Sequence, residues 1–220
     1  MEDRTPDTHL PVSGDAVDAR FPAVVRDAFP MLEPASAADS ALVVSQLGKP
    51  YQGEIFVARR CPFSRPAVVL TVPLEGAGGP VPPLLWLTCP RASSLVGTLE
   101  STGAMRRVEE RLDSDARVAE AFMDDERRFA ELQENIARAM SGETLARRLG
   151  ARGVAGGREG AIKCLHAHLA YRLSIGTGEV ADDGVPGEGR QHAVPGLWCE
   201  EMLEEEGGVW CERPPAACVI

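Results

Sequence analysis

Basic charge is in short supply. Twenty-three Lys and Arg stand against 33 Asp and Glu, a formal net charge of −10. Without a basic excess the chain lacks the electrostatic footprint that a phosphate backbone demands, which argues against nucleic acid as a partner. Long apolar runs are missing too: none approaches the ~20 residues of a membrane-spanning helix, so no membrane span is expected. The opening MEDRTPDTHLPVSGDAVD is acidic and polar, unlike a secretion or transit signal, and predicts a cytoplasmic protein. Aromatics are sparse at 5%, yet 44% hydrophobic and 25% charged residues are globular proportions. The chain can therefore bury a core. Its 220 residues suit one ordinary domain with flanking segments.

Residues 1–15 read as a flexible tail, 16–176 as a single domain, and 177–220 as a loop, a short acidic helix and a tail folding back. Within the domain, two apolar stretches (Phe21 to Phe29 and Ala35 to Leu47) come first, the second stopped by Gly48-Lys49-Pro50. Three β-like runs follow, Gly53 to Arg59, Ala67 to Val72 and Leu84 to Thr88, bounded by Pro and Gly. The Gly/Pro-rich link between the last two suits a long hairpin loop centred near Ala77 and Gly78, which sets position 89 opposite position 66.

Helix then takes over. Pro90 sits where a first helical residue belongs, with Leu95, Val96 and Leu99 on one face. From Ala104 to Met140 the pattern is helical, with Val118, Phe122, Phe129, Leu132, Ile136 and Met140 forming one stripe and Asp124 to Arg128 its solvated side. After the glycine-rich break at 150–160, a further helix is predicted from Ala161 to Ile175, and Gly176 to Gly196 reads as an exposed loop. Strands first and helices afterwards predict an α+β fold: a small antiparallel sheet of about three strands packed against several helices.

The six cysteines are the unusual chemistry: Cys61, Cys89, Cys164, Cys199, Cys211 and Cys218. Without a secretion signal they should stay reduced, which leaves metal binding, a reactive thiol or plain burial. No two are spaced C-x-x-C, so no zinc-ribbon signature exists. The hairpin register puts Cys61-Pro62 and Cys89-Pro90 at one end of the sheet. Cys89 would also stand at a helix N-terminus, where orphan N–H groups favour a thiolate; the bland alternative is a small buried residue continuing Leu85 and Leu87. Cys164 and His168, four apart, share a helix face, whereas His166 projects about 200° away and joins Cys164 only if the helix begins later than Ala161.

Four motifs in order, Gln46-Leu47-Gly48-Lys49-Pro50, Ala58-Arg59-Arg60-Cys61-Pro62, Leu87-Thr88-Cys89-Pro90-Arg91 and Lys163-Cys164-Leu165-His166-Ala167, resemble the bacterial domain-of-unknown-function family 501, found mainly in actinobacteria. The resemblance spans roughly residues 42–176. Relatives carry an Asp-Gly turn where Gly76-Ala77-Gly78-Gly79 stands here, and several have Cys at the position of Phe63. Cys164 and His166 match the shared motif, while His168 does not. Trp210 with Cys218-Val219 resembles the family's ending, with Cys211 as a competitor. Family members are often encoded near septum-formation and exopolyphosphatase genes, which implies an association with envelope growth or division and no mechanism.

Three readings follow. The first is a metal site of Cys61, Cys89 and Cys164 with Cys218 or Cys211 as fourth ligand and His166 nearby; four thiolates suit an iron–sulfur cluster or zinc. The second is a non-catalytic interaction or regulatory module, using the acidic residues Glu200, Glu201, Glu204, Glu205 and Glu206 with an exposed Trp198 and Trp210 toward a protein partner in septum formation. The third is a cysteine-dependent enzyme with Cys89 or Cys61 as nucleophile and His166 as base. Arg60, Arg65, Arg91 and Lys163 flank the cysteines and are candidates for binding an anion.

Overall fold

A computed structural model of the chain describes residues 20–51, 53–73, 84–149, 152–155, 162–175, 193–213, 215 and 218. The expected tail at 1–15, the hairpin loop at 74–83, most of the glycine-rich break and nearly all of the 176–196 loop lie outside them.

The elements in chain order are α1 (Ala23–Ala28), β1 (Glu33–Pro34), α2 (Ala37–Leu47), β2 (Gly53–Arg60), β3 (Pro66–Pro73) and β4 (Leu85–Leu87). They continue with α3 (Pro90–Ser101), α4 (Ala104–Ser114), α5 (Ala116–Ser141), α6 (Glu143–Leu149), α7 (Leu165–Ser174) and α8 (Val194–Glu205). This is an α+β fold. The sheet is antiparallel with order β1-β2-β3-β4, one strand more than expected because the two-residue β1 pairs with Val57 and Phe56. The pairing Val68↔Leu87 carries position 66 opposite 89, the register that the loop centre predicts.

Side chains alternate across a strand, and the sheet uses both faces. Phe56, Ala58, Val68, Leu70, Leu85 and Leu87 join the main core, which the helices α3, α4, α5, α7 and α8 complete. Val57, Val69 and Thr71 are buried too but belong to the opposite face. There α2 packs on β3 with Val43 and Gln46, both wholly buried.

A capping box starts α2: the Ser36 hydroxyl accepts the Asp39 N–H (3.1 Å) while the Asp39 carboxylate accepts the Ser36 N–H (3.1 Å). Asp39 also takes both arms of the Arg60 guanidinium at 2.8 and 2.9 Å, clamping α2 to the end of β2. Arg60, with the Ser36 donors, holds the Asp39 carboxyl at about 2 instead of 3.8. A depressed carboxyl stabilises the fold above its unfolded pKa. That contribution, on the order of 2 kcal/mol, should drain away as pH falls from 3.8 toward 2. Denaturant melts of Asp39→Asn should show a loss of about that size at pH 7 and none at pH 2; an equal loss at both would sink the assignment.

The helical run from Ala104 to Met140 divides into two helices, because Asp115 takes an extended conformation and its carboxylate caps α5 by accepting the Arg117 N–H at 2.9 Å. Two expectations need correcting. The group Asp124 to Arg128 is not wholly solvated: Asp125 and Glu126 are buried. Their carboxylates serve distant backbone, Asp125 accepting the Val194 N–H at the start of α8 (3.2 Å) and Glu126 the Val154 N–H (3.3 Å). Asp124 and Arg127 pair at the surface. Trp198, expected as an exposed partner contact, is buried in the core beneath Arg111, whose guanidinium stacks 4.3 Å over its ring. Trp210 is half-buried against that same core.

Candidate functional site

The site forms where the start of α7 meets the end of α3. Cys164 is the N-cap of α7 with extended backbone (φ −162°, ψ 115°), so the helix begins at Leu165, later than the sequence pattern suggests. That shift removes Cys164 from the helical wheel. His168, expected to share its face, is instead buried against Phe122 with ring centroids 6.0 Å apart. His166, on the first turn, comes to Cys164.

Glu100 completes the group. It lies one turn beyond Val96 on the same stripe of α3, so a core-facing stripe ends on a carboxylate. Its Oε1 accepts the Leu165 N–H at 2.6 Å, capping α7 from another helix, and lies 3.3 Å from His166 Nδ1. On the other side of the ring, His166 Nε2 is 3.0 Å from the Ser93 carbonyl oxygen. A carbonyl only accepts, so Nε2 carries a hydrogen and Nδ1 is the nitrogen that faces the carboxylate with a lone pair or a second proton. The bond to Cys164 and the Glu100 charge raise His166 to about 9, against the opposing cost of burial.

Glu100, Cys164 and His166 bring a carboxylate oxygen, a sulfur and a ring nitrogen within 4.8 Å of one another; among the described residues no other three His, Cys, Asp or Glu do so. Tetrahedral zinc with 2.0–2.3 Å bonds separates its ligands by roughly 3.3–3.8 Å, and the 3.3 Å between Nδ1 and Oε1 already falls in that range. The donors are one soft, one borderline and one hard, a mixture zinc accepts.

The expected four-thiolate centre is not assembled among these residues. Cys61 closes the turn after β2, its N–H donating to the Arg65 carbonyl and its carbonyl accepting from Ser64. Cys89 caps α3 beside the start of β3, its N–H on the Ala67 carbonyl at 3.2 Å. Both Cys-Pro steps do sit at one end of the sheet, but β3 runs between them and holds their backbones about 10 Å apart. Cys89 and Glu100 occupy opposite ends of α3, about 16 Å apart along its axis. Cys211 and Cys218 lie near Cys89, whose thiol burial pushes up and the Ala92 and Arg91 amides pull down. Cys199 is wholly buried, and that burial raises it to about 12.

Two of the four cations already have partners. Arg60 is engaged by Glu33, Asp39 and the Ser64 carbonyl, and Arg91 donates to the Gly207 and Gly208 carbonyls. Lys163 is exposed and Arg65 half-buried. The nucleophile–base pair expected from Cys89 or Cys61 with His166 is likewise replaced, since the sulfur at His166 belongs to Cys164. Glu100 escaped the sequence reading because a carboxylate with no Cys or His near it in sequence carries no ligand signature. Its position on the buried stripe of an otherwise acid-free helix was the available sign.

No helix among the described residues is long and apolar enough to cross a membrane. Neither the curated proteins nor the solved structures yield a match to this chain. The family model described as "Protein of unknown function (DUF501)" matches residues 57–182, a span that takes in Cys61, Cys89, Glu100, Cys164 and His166, and the chain belongs to that family.

Proposed function

We propose that this protein binds one divalent transition metal, zinc by its donor set, through Glu100, Cys164 and His166. The observation that carries the reading is the convergence of their three ligand atoms within 4.8 Å. The Ser93 carbonyl on Nε2 supports it, because an imidazole held at one nitrogen presents the other to a metal in a fixed orientation. Three protein ligands leave a fourth position for water or a small ligand. An iron–sulfur cluster draws no support from a group with a single thiolate. A reducing, cytoplasmic setting belongs to the same reading, since a thiolate ligand must stay reduced and all six cysteines are free.

A second arrangement has its own observation. At about 9, His166 is an imidazolium at neutral pH, paired with Glu100 and Cys164, so the group could act as a thiol–imidazolium pair without metal. Zinc titration against a chromophoric chelator separates the two. The metal reading expects about one zinc per chain, bound with release of the His166 proton and tighter as pH rises. Cys164→Ser and His166→Ala should each weaken binding by about 100-fold or more, and Glu100→Gln by about 10-fold or more. Wild-type affinity no better than that of Cys164→Ser would end the metal reading, and fast alkylation of Cys164 alone would then favour the thiol pair.

A further inference from the structure

The chain carries a glycine beside the candidate metal site that its own fold does not explain. Gly97 stands inside α3, where glycine is the poorest helix former after proline. Every other glycine among the described residues has a positive φ or a neighbour within 3 Å of where a Cβ would stand. Gly97 has neither, and a Cβ built on it meets nothing within 4 Å among the described residues. Its place on the helix is particular. At 100° per residue, counted from the core-facing Val96, Glu100 stands about 40° round the helix, Ser93 about 60° and Gly97 about 100°. Gly97 therefore flanks Ser93 and Glu100 on the side away from the core. The His166 ring lies along those two, with Nδ1 3.3 Å from the Glu100 carboxylate and Nε2 3.0 Å from the Ser93 carbonyl. That carbonyl also takes the Gly97 N–H in the ladder of α3, so the glycine backbone adjoins the ring and leaves its outer flank clear.

We propose that the open ground over Gly97 is the approach by which a small external monoanion reaches the fourth position of the metal, which makes the centre an exchange site and not a closed structural one. The inference rests on the metal reading above. A divalent ion with the Cys164 thiolate and the Glu100 carboxylate carries no net charge, so a monoanion adds one negative charge and a dianion such as phosphate adds two. Lys163, exposed and one residue before Cys164, contributes a positive charge at the rim that meets the first but not the second. Size follows from the missing side chain. Room one residue wide admits a few heavy atoms, and a larger side chain at 97 would occupy it.

The test loads the reduced full-length chain with cobalt(II), whose visible bands report its ligands, and titrates azide at constant ionic strength. Wild type should show a thiolate-to-cobalt charge-transfer band and a saturable azide shift of its visible bands. Gly97→Leu should keep the charge-transfer band, the cobalt affinity and the melting midpoint, while binding azide about 10-fold or more weakly. Gly97→Ala, with one methyl in open space, should fall between the two, and it decides the matter if the leucine variant fails to fold. Wild type without a charge-transfer band would end the metal reading and this inference with it. Cobalt bound with bands indifferent to azide would keep the metal reading and overturn the open position. Equal azide affinity in all three chains would overturn Gly97 as the approach.

Discussion

Replacing Gly196 by alanine is expected to cost about 3 kcal/mol or more and to loosen the packing of α8 on α7. A Cβ built at Gly196 would lie 2.2 Å from the His168 carbonyl oxygen and 2.6 Å from Arg172 Cβ. Neither contact is with the tip of a flexible side chain. The oxygen belongs to the backbone in the middle of α7, so relief requires the two helices to separate. Separation would strip cover from Trp198, Cys199 and Leu203 and stretch the Arg172–Glu200 ion pair, now 3.0 Å. Denaturant midpoints of Gly196→Ala and of Gly97→Ala, whose added methyl meets nothing within 4 Å, make the comparison. The first should fall steeply and the second should not fall, since alanine is the better helix former. Equal midpoints would mean that α7 and α8 do not approach as closely as this.

Acid should unfold the protein through His168 before it reaches Asp39. His168 is 1% exposed, its Nε2 has no hydrogen-bond partner among the described residues, and burial lowers it from 6.5 to about 4. Above pH 6.5 neither the folded nor the unfolded chain holds this proton, so it has no effect on stability. Between 6.5 and 4 the unfolded chain takes up a proton that the folded one refuses, and stability falls with pH by roughly 2–3 kcal/mol in total. His166 adds little slope there, because below 6.5 its proton is held by the folded and the unfolded chain alike. The measurement is the stability difference between wild type and His168→Leu at pH 7 and pH 4.5. A difference that moves in favour of the leucine variant as pH drops is expected; one that stays constant would show that His168 is solvated or paired.

Much of this molecule can be read along the chain because local rules decide it. The three main strands follow from β-branched runs between Pro and Gly, and the 66-to-89 register from the centre of one loop. Cys89 is an N-cap because proline at the next position fits a first helical turn. The stripe from Val118 to Ile136 is buried because its spacing matches the helical period. Family membership was legible from four short motifs in order; the matched span, residues 57–182, takes in the last three, and Gln46 to Pro50 lies before it.

The site was only half legible. Cys164 and His166, which the proposed reading makes ligands, stand two apart, and a periodic pattern running back to Ala161 puts them on opposite sides of a helix. What brings them together is a helix start set by Glu100 from another helix, whose carboxylate takes the Leu165 N–H. The burial of Asp125 and Glu126 has the same origin, since the backbone amides they satisfy are 69 and 28 residues away. Composition and periodicity therefore determined the α+β class, the core stripes and the supply of cysteine sulfurs. Which sulfur meets which histidine, and which carboxylates leave the solvent, was decided only in three dimensions, because a capping oxygen or a buried charge answers to whatever unpaired N–H the fold brings beside it, at any distance along the chain.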